Sequence, residues 1–296
     1  MKSDQPSSPN DPQSVSRREF TALSLAAGVV AATGADVAKA AAVSEKDVEI
    51  KTPAGTCDAA LVHPEGKGSW PAAILFPDAF GLRPVTREMA KRLAANGYTV
   101  LVPNQFYRSG KLPPTGLSLN FDDPESRAKF MALRSVLTNE NVGQDATAFM
   151  AFLDSQPTVN KKAKAGVFGY CMDGPMTMQS AAAVPNRIGA GASFHGGGLV
   201  TDKPDSPHLL VPRMKAEFYV AVAANDDEKE PEAKTKLAEA FKAAHLPARV
   251  EVYEGTLHGW CMKDMPAMGD NKNIYNEPQA ERAWKELVAL FKRTLV

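Results

Sequence analysis

The sequence has few cysteines, no long hydrophobic run, no net charge and no phosphate-binding motif, and each absence excludes a class of protein. Lys plus Arg and Asp plus Glu both number 34, so no basic field favours nucleic acid and no acidic field favours basic partners. The chain lacks a G-x-G-x-x-G fingerprint, a phosphate-binding loop and an internal repeat. A composition that is 44% hydrophobic over 296 residues fits one large α/β domain or two small ones.

The three cysteines are Cys57, Cys171 and Cys261. An odd number leaves at least one free thiol even in an oxidising compartment. The sequence leaves open whether Cys57 and Cys261 form a disulfide. His258-x-x-Cys261 is the one pair with the spacing of metal ligands, so we expect no metal site.

The first forty residues have the pattern of an export signal. The pair Arg17-Arg18 precedes a mildly apolar run over 22–32, which is shorter than the roughly 20 apolar residues that a membrane span needs. Ala38-Lys39-Ala40 provides an A-x-A cleavage site. We interpret residues 1–40 as a twin-arginine signal and expect a periplasmic or secreted mature protein that is not bound to the membrane. The alternative is an amphipathic or buried N-terminal helix.

The rest of the chain, residues 44–296, is predicted to form a single α/β domain. Segments 47–52 and 57–63 predict an antiparallel hairpin at the edge of a sheet. Strands are predicted over 71–76, 98–102, 163–169, 188–194, 216–223 and 248–253. Helices are predicted over 85–96, 122–156 with a break near 139–142, 176–184, 232–244 and 277–295. This alternation predicts a mostly parallel, doubly wound sheet with its binding site at the carboxyl ends of the strands.

The sequence Gly169-Tyr-Cys171-Met-Asp173-Gly174 has the outline of a nucleophile elbow, since it joins a predicted buried strand to a predicted helix. Such a turn makes its central side chain project from the sheet, and the start of a helix favours a thiolate. Asp173 stands where a glycine is usual, and Gly174 follows one place later. The alternative is that Cys171 is a buried structural cysteine.

Other reactive side chains follow the predicted strands in the chain order of an α/β-hydrolase, with the nucleophile first, then an acid, then a histidine. Cys171 would attack an acyl carbon, His258 would carry the proton, and Asp226 or its neighbour Asp227 would orient the imidazole. We favour Asp226 because it lies closer to the strand end. The backbone N–H groups of Met172 and Ala79 would then face the developing oxyanion.

With these motifs the sequence resembles the dienelactone hydrolase family, the α/β-hydrolases that use a cysteine nucleophile. The resemblance spans roughly residues 48–295 and is carried by 169–174, 225–227, 253–259 and the helix containing Ala283-Trp284. It implies hydrolysis of cyclic enol esters such as dienelactone through an acyl-cysteine, without a cofactor. It also implies that Cys171, Asp226 and His258 form the triad.

Positions 78 and 262 depart from the family pattern, and positions 195 and 260 are further candidates for the site. Asp78 stands where the family has a glutamate that helps to form the thiolate, and we expect its carboxylate to contact the substrate. Arg108 matches one arginine of the clamp for the substrate carboxylate, but the second clamp position is Met262, so we do not expect dienelactone itself to be the substrate. His195 and Trp260 are expected either to line the substrate pocket or to have a structural role.

Two further hypotheses follow from the same residues. A non-catalytic protein that binds a small molecule at the strand ends would account for the departures at Asp78 and Asp173. Redox chemistry between Cys171 and Cys261 is the third possibility. The sequence gives no oligomeric state.

Overall fold

The computed structural model describes Met1 and residues 42–113, 115–267 and 273–295. Apart from Met1, the predicted export signal lies outside the described residues. Within the described ranges, no helix combines the length and the apolar character that crossing a membrane would require.

In the described part of the chain, eight strands form one sheet in the order β1-β2-β4-β3-β5-β6-β7-β8. The strands are β1 (Val43–Thr52), β2 (Gly55–Pro64), β3 (Ala72–Phe76), β4 (Thr99–Pro103), β5 (Ala165–Tyr170), β6 (Ile188–Phe194), β7 (Glu217–Ala223) and β8 (Ala248–Tyr253). The β1–β2 hairpin is antiparallel and forms one edge, β2 pairs antiparallel with β4, and the other neighbours are parallel. This confirms the predicted sheet and its edge hairpin.

Helices cover both faces of this sheet. They are α1 (Pro84–Ala94), α2 (Pro124–Ser135), α3 (Asn139–Ser155), α4 (Gly174–Ala183), α5 (Ala224–Lys229), α6 (Ala233–Ala243) and α7 (Glu277–Thr294). Side chains of α3, α4 and α6 belong to the core on one face, and those of α1 and α7 to the core on the other. Alternate residues of β3 enter the two cores, which explains why the central strands are continuously apolar in sequence.

The helix boundaries follow from local capping. The predicted break near 139–142 lies earlier, because Thr138 caps α3 by accepting a hydrogen bond from the N–H of Asn141. Asp123 caps α2 in the same way through the N–H of Ser126. Helix α7 packs one face against the core, where its buried side chains are Ala283, Trp284, Leu287, Leu290 and Phe291.

The parallel strands bring four connections to one rim of the sheet. Cys171 follows β5, His195 follows β6, α5 with Asp226 follows β7, and His258 lies in the loop after β8. Because carboxyl ends of parallel strands meet at the same edge, residues that are up to 87 positions apart in the chain become neighbours there.

Candidate active site

Cys171 lies on a tight turn between β5 and α4, with its backbone in the left-handed region at φ +56°. Gly169 makes this turn possible, because a Cβ there would lie 2.7 Å from the carbonyl oxygen of Asp173. Gly174 has the second close approach, since a Cβ on it would lie 2.7 Å from the Cα of Gly196. The glycine one place later than usual therefore allows the packing, and Asp173 does not prevent the elbow from forming.

The sulfur of Cys171 contacts an imidazole that is held by a carboxylate. Cys171 Sγ lies 3.1 Å from His258 Nε2, and His258 Nδ1 lies 2.6 Å from Asp226 Oδ2. The backbone N–H of His258 also donates to the side chain of Asn225 at 2.8 Å. The structure thus brings together the three side chains that the sequence selects, and Cys171 is only partly buried rather than enclosed in the core.

The electrostatics of the pair favour a charged imidazole. Burial disfavours the imidazolium, but the hydrogen bonds to Asp226 and Cys171 outweigh that effect and raise the pKa of His258 to about 10. A protonated His258 places a positive charge beside Cys171 Sγ, and such a charge favours the thiolate form of a cysteine. The thiol of Cys171 and the carboxylate of Asp226 therefore contact opposite nitrogens of the same imidazole.

Asp226 and Asp227 have different partners. Asp227 accepts two hydrogen bonds of 2.7 Å from Lys234, whereas Asp226 contacts His258. Both residues lie in helix α5 rather than in a loop, so successive side chains point in different directions around the helix axis. The helix accounts for the preference for Asp226, for which the sequence had offered only proximity to the strand.

Ala79 and Met172 lie beside Cys171 in a small apolar cluster that also contains Phe106. The turn Cys171–Asp173 begins at Cys171, so the N–H of Met172 belongs to the first turn, where backbone donors have no partner within the helix. The N–H after Ala79, that of Phe80, is already used in a 2.9 Å hydrogen bond to Asp78. Ala79 and Met172 therefore share one apolar cluster with Cys171, and their role as oxyanion donors stays a prediction.

Asp78 is fully buried and engaged in an ion pair. Arg83 donates to both of its carboxylate oxygens, at 2.7 and 2.9 Å, and also reaches Asp264 at 2.8 Å. Burial raises the pKa of Asp78, and the guanidinium of Arg83 opposes that rise. This pairing does not support the predicted substrate contact of Asp78, because its oxygens are already satisfied by Arg83.

Arg108 likewise has a partner within the protein. Its guanidinium donates twice to the carboxylate of Asp145, at 2.5 and 2.9 Å, and lies 4.8 Å from the ring of Tyr107. The hydroxyl of Tyr107 donates to the same carboxylate at 2.6 Å. The expected role of Arg108 in binding a substrate carboxylate is not supported, because Asp145 already neutralises it. The sequence could not reveal this, since Asp145 lies 37 residues away on a helix.

Trp260 and Met262 are fully buried, which favours the core interpretation of Trp260 over a pocket wall. The indole of Trp260 stacks on Tyr253 at 5.1 Å and meets the ring of His195 edge-on at 5.2 Å. His195 is also fully buried, so it does not line an open pocket. Its Nδ1 accepts a 3.1 Å hydrogen bond from the backbone N–H of Cys171.

Sequence reasoning missed the apolar cover of the site. Side chains from the segment 112–137 pack onto the cluster that holds Cys171, namely Leu112, Leu117, Leu119, Phe121, Phe130, Leu133 and Leu137. The sequence predicts only the helix from residue 122 onwards, and the apolar residues at 117, 119 and 121 were the available signal for the cover. Helix α2 has no buried residue, so the cover is thin.

A cavity of about 470 Å³ opens beside Met172. It lies between α2 and the start of α4, and its lining includes Arg134, Pro175, Gln179 and Gly198. Met172, the residue after Cys171, connects this cavity to the turn that carries the sulfur.

Cys57 and Cys261 are both free and lie on opposite faces of the sheet. Cys57 belongs to the core beneath α3, whereas Cys261 packs against the core beneath α1 and α7. The disulfide that the sequence left open is therefore not formed. In the ranges that the structure describes, no group of three His, Cys, Asp or Glu side chains is arranged to hold a metal ion.

A nucleophile-bearing elbow after the fifth strand, with an acid and a histidine on later strand ends of a mostly parallel sheet, defines an α/β-hydrolase. Residues 57–295 match the model of the dienelactone hydrolase family, and the chain belongs to that family. Membership makes it a hydrolase.

Individual relatives are distant. The carboxymethylenebutenolidase of Rhodococcus opacus is 26% identical over 229 residues, which cover 77% of this chain and 83% of the relative. The dienelactone hydrolase of Anabaena variabilis superposes with a TM-score of 0.56 at 19% identity over 86% of this chain and 99% of that one. A metagenomic dienelactone hydrolase-like promiscuous phosphotriesterase superposes at 0.68 with 21% identity, over 86% and 100%. At such identities the structural likenesses bear on the fold.

Proposed function

We propose that this chain hydrolyses carboxylic esters or lactones through an acyl-cysteine intermediate. Cys171 is the nucleophile, His258 carries the proton and Asp226 orients His258. The observation that carries the proposal is the chain of contacts from Sγ to Nε2 at 3.1 Å and from Nδ1 to Asp226 at 2.6 Å. Contacts of this length connect a nucleophile, a general acid–base and its orienting group.

The reaction proceeds in two stages. The Cys171 thiolate attacks the carbonyl carbon, and the N–H groups of Met172 and Ala79 stabilise the oxyanion. The C–O bond to the leaving group breaks as His258 donates its proton to the departing oxygen, which leaves a thioester on Cys171. Water then attacks the thioester while His258 accepts one of its protons, and the sulfur departs as thiolate with release of the acid. No cofactor takes part.

The surroundings of the sulfur support a neutral, partly apolar substrate. Arg108 is paired with Asp145, and Met262 is buried where a second arginine of the clamp would stand. The groups that cover Cys171 are leucines and phenylalanines. We therefore infer that a free carboxylate is not required for binding, in contrast to dienelactone. Small esters or lactones with an apolar acyl or alcohol part fit this site.

We also propose that the enzyme acts in the periplasm or outside the cell after twin-arginine export. Support comes from Arg17-Arg18, the short apolar run that follows, and the A-x-A site ending at Ala40. Replacing both arginines by lysine should leave the protein in the cytoplasmic fraction with its leader attached. Processing and export that continue unchanged would contradict this localisation.

Mass spectrometry of the intact protein tests the function directly. After rapid quenching from a panel of short aryl esters and lactones, the wild type should carry an acyl group that maps to Cys171. Cys171→Ala should carry none and should lose turnover, while Cys261→Ala serves as a matched control that retains both. Unchanged turnover in Cys171→Ala would overturn the proposal. Tight ligand binding without any acyl-enzyme would favour the non-catalytic binding protein.

A further inference from the structure

His195 holds the backbone of Cys171, although the reaction outlined above assigns it no part. Its Nδ1 accepts the N–H of Cys171 at 3.1 Å, and the N–H of Gly197 donates to the carbonyl of Cys171 at 3.2 Å. The segment that follows β6 thus contacts both polar groups of a residue whose φ is +56°. Non-glycine residues keep such a backbone only where their surroundings fix it, at a cost of roughly 1–3 kcal/mol.

His195 is itself firmly placed. Its backbone N–H donates to the carbonyl of Ala221 on β7 at 2.8 Å, which extends the sheet by one residue beyond β6. The side chain is 0% exposed, and the rings of Tyr170, His258 and Trp260 lie 5.8, 5.0 and 5.2 Å from it. A ring packed on three sides has little freedom to rotate, so its Nδ1 remains directed at the elbow.

The ring must be neutral to make this contact. An imidazole accepts a hydrogen bond at one nitrogen only when that nitrogen is unprotonated, so Nδ1 is the acceptor and Nε2 carries the proton. Burial holds the pKa of His195 well below its usual range, and the neighbouring His258 lowers it further. Nε2 is buried and has no partner among the described residues, so the contact with Cys171 is the side chain's one hydrogen bond in that part of the chain.

We propose that His195 is a positioning residue of the nucleophile elbow. By accepting the Cys171 N–H it fixes the peptide between Tyr170 and Cys171. The backbone of Cys171 then keeps the conformation in which the next N–H, that of Met172, faces the substrate oxygen while Sγ remains in contact with His258. The inference rests on the proposed acyl transfer. Without an acceptor at residue 195, the N–H of Cys171 loses its partner and the strained backbone is free to relax, which moves the oxyanion donor away from the substrate.

Asn and Leu provide a matched pair of replacements. They have nearly the same size, but the Oδ1 of Asn stands where Nδ1 of histidine stands and accepts a hydrogen bond, whereas Leu accepts none. His195→Leu should lower the rate of acylation by an aryl ester by roughly 100-fold, the low end of the loss that follows removal of one oxyanion donor. His195→Asn should recover most of that loss. Thermal unfolding and circular dichroism establish that both variants are folded.

Alkylation of Cys171 by iodoacetamide separates positioning from a general structural defect. This displacement uses the sulfur and His258 but forms no oxyanion, so both variants should stay within about threefold of the wild type. Equal losses of acylation in folded Asn and Leu variants would overturn the proposal. So would a Leu variant that acylates normally, or one whose alkylation falls as far as its acylation.

Failure of every ester to acylate the wild type would refute the proposed function. Even then, an independent measurement shows whether Nδ1 of His195 accepts the hydrogen bond from Cys171. Nitrogen NMR of the five imidazoles, with His195→Asn to assign the signal, should show a neutral ring protonated at Nε2 at pH 6. A ring that is charged at that pH, or protonated at Nδ1, would refute the role of His195 alone.

Discussion

Lys234 binds Asp227 through both carboxylate oxygens at 2.7 Å, which leaves the adjacent Asp226 as the carboxylate in contact with His258. Two adjacent aspartates on helix α5 therefore have different partners. The acid predicted for the site is therefore distinguished from its neighbour by a partner on α6, which local sequence does not indicate.

Replacing each of the two acids separately by asparagine gives a matched test of that assignment. Asp226→Asn should lower kcat on a short aryl ester by roughly 10²- to 10⁴-fold, because the amide no longer stabilises the imidazolium and favours the wrong tautomer. Asp227→Asn should change kcat by less than about threefold, since a partly exposed ion pair contributes roughly 0–1 kcal/mol. Steady-state kinetics on both variants decide the matter, and equal losses would contradict it.

The three thiols should differ sharply in reactivity. Burial of the thiol raises the pKa of both Cys57 and Cys261, whereas the thiol of Cys171 contacts the imidazole of His258. We expect one thiol per native chain to react rapidly with a disulfide reagent at pH 7.5, and all three to react after unfolding. That fast reaction should disappear in Cys171→Ala. Mild oxidation that consumes Cys171 and Cys261 together would instead favour the redox hypothesis.

Stability should fall as the solution becomes alkaline. In the folded state the pKa of His258 is raised to about 10, above its ordinary value near 6.5. The folded state therefore binds the proton on His258 more tightly than the unfolded state does. That contribution is complete below about pH 6.5 and is lost as pH rises towards 10. Urea unfolding under reducing conditions should therefore show a steeper decline between pH 7 and 10 for the wild type than for His258→Gln. Identical slopes would show that the pair does not stabilise the fold.

Arg108 should matter for stability rather than for substrate choice. Arg108→Met leaves the buried carboxylate of Asp145 without its guanidinium, which should lower the free energy of unfolding by roughly 3 kcal/mol. The exposed pair of Lys111 with Glu49 supplies the control, and Lys111→Met should leave the urea midpoint nearly unchanged, because solvent screens such a pair. The ratio of kcat/KM for an acidic ester to that for its neutral analogue should not change in Arg108→Met. A fall in that ratio would restore Arg108 as a substrate contact.

Local pattern was sufficient to predict most of the fold. Strand β6 lies at its predicted residues, because a continuous apolar run has few alternatives in a sheet that is covered on both faces. The order of reactive residues at the strand ends likewise follows from topology, since parallel strands deliver their carboxyl ends to one rim. The errors at helix ends, such as the early start of α3, arise from capping by single side chains.

Charge pairing could not be predicted from the sequence. Asp78 and Arg108 were chosen because reactive side chains stood at the right places, yet each is neutralised by a partner that the fold supplies. The contact from His195 to the N–H of Cys171 is equally invisible, because it depends on a backbone in the left-handed region and on the rotation of a buried ring.

The amino-acid sequence by itself determined the order of strands and helices, the family and the residues that stand at the strand ends. The tertiary structure alone decided which of those residues meet and which are already bound to another charge. The physical reason is that periodicity and turn chemistry act over a few residues, whereas hydrogen bonds and ion pairs form between groups that only folding brings within about 3 Å of each other.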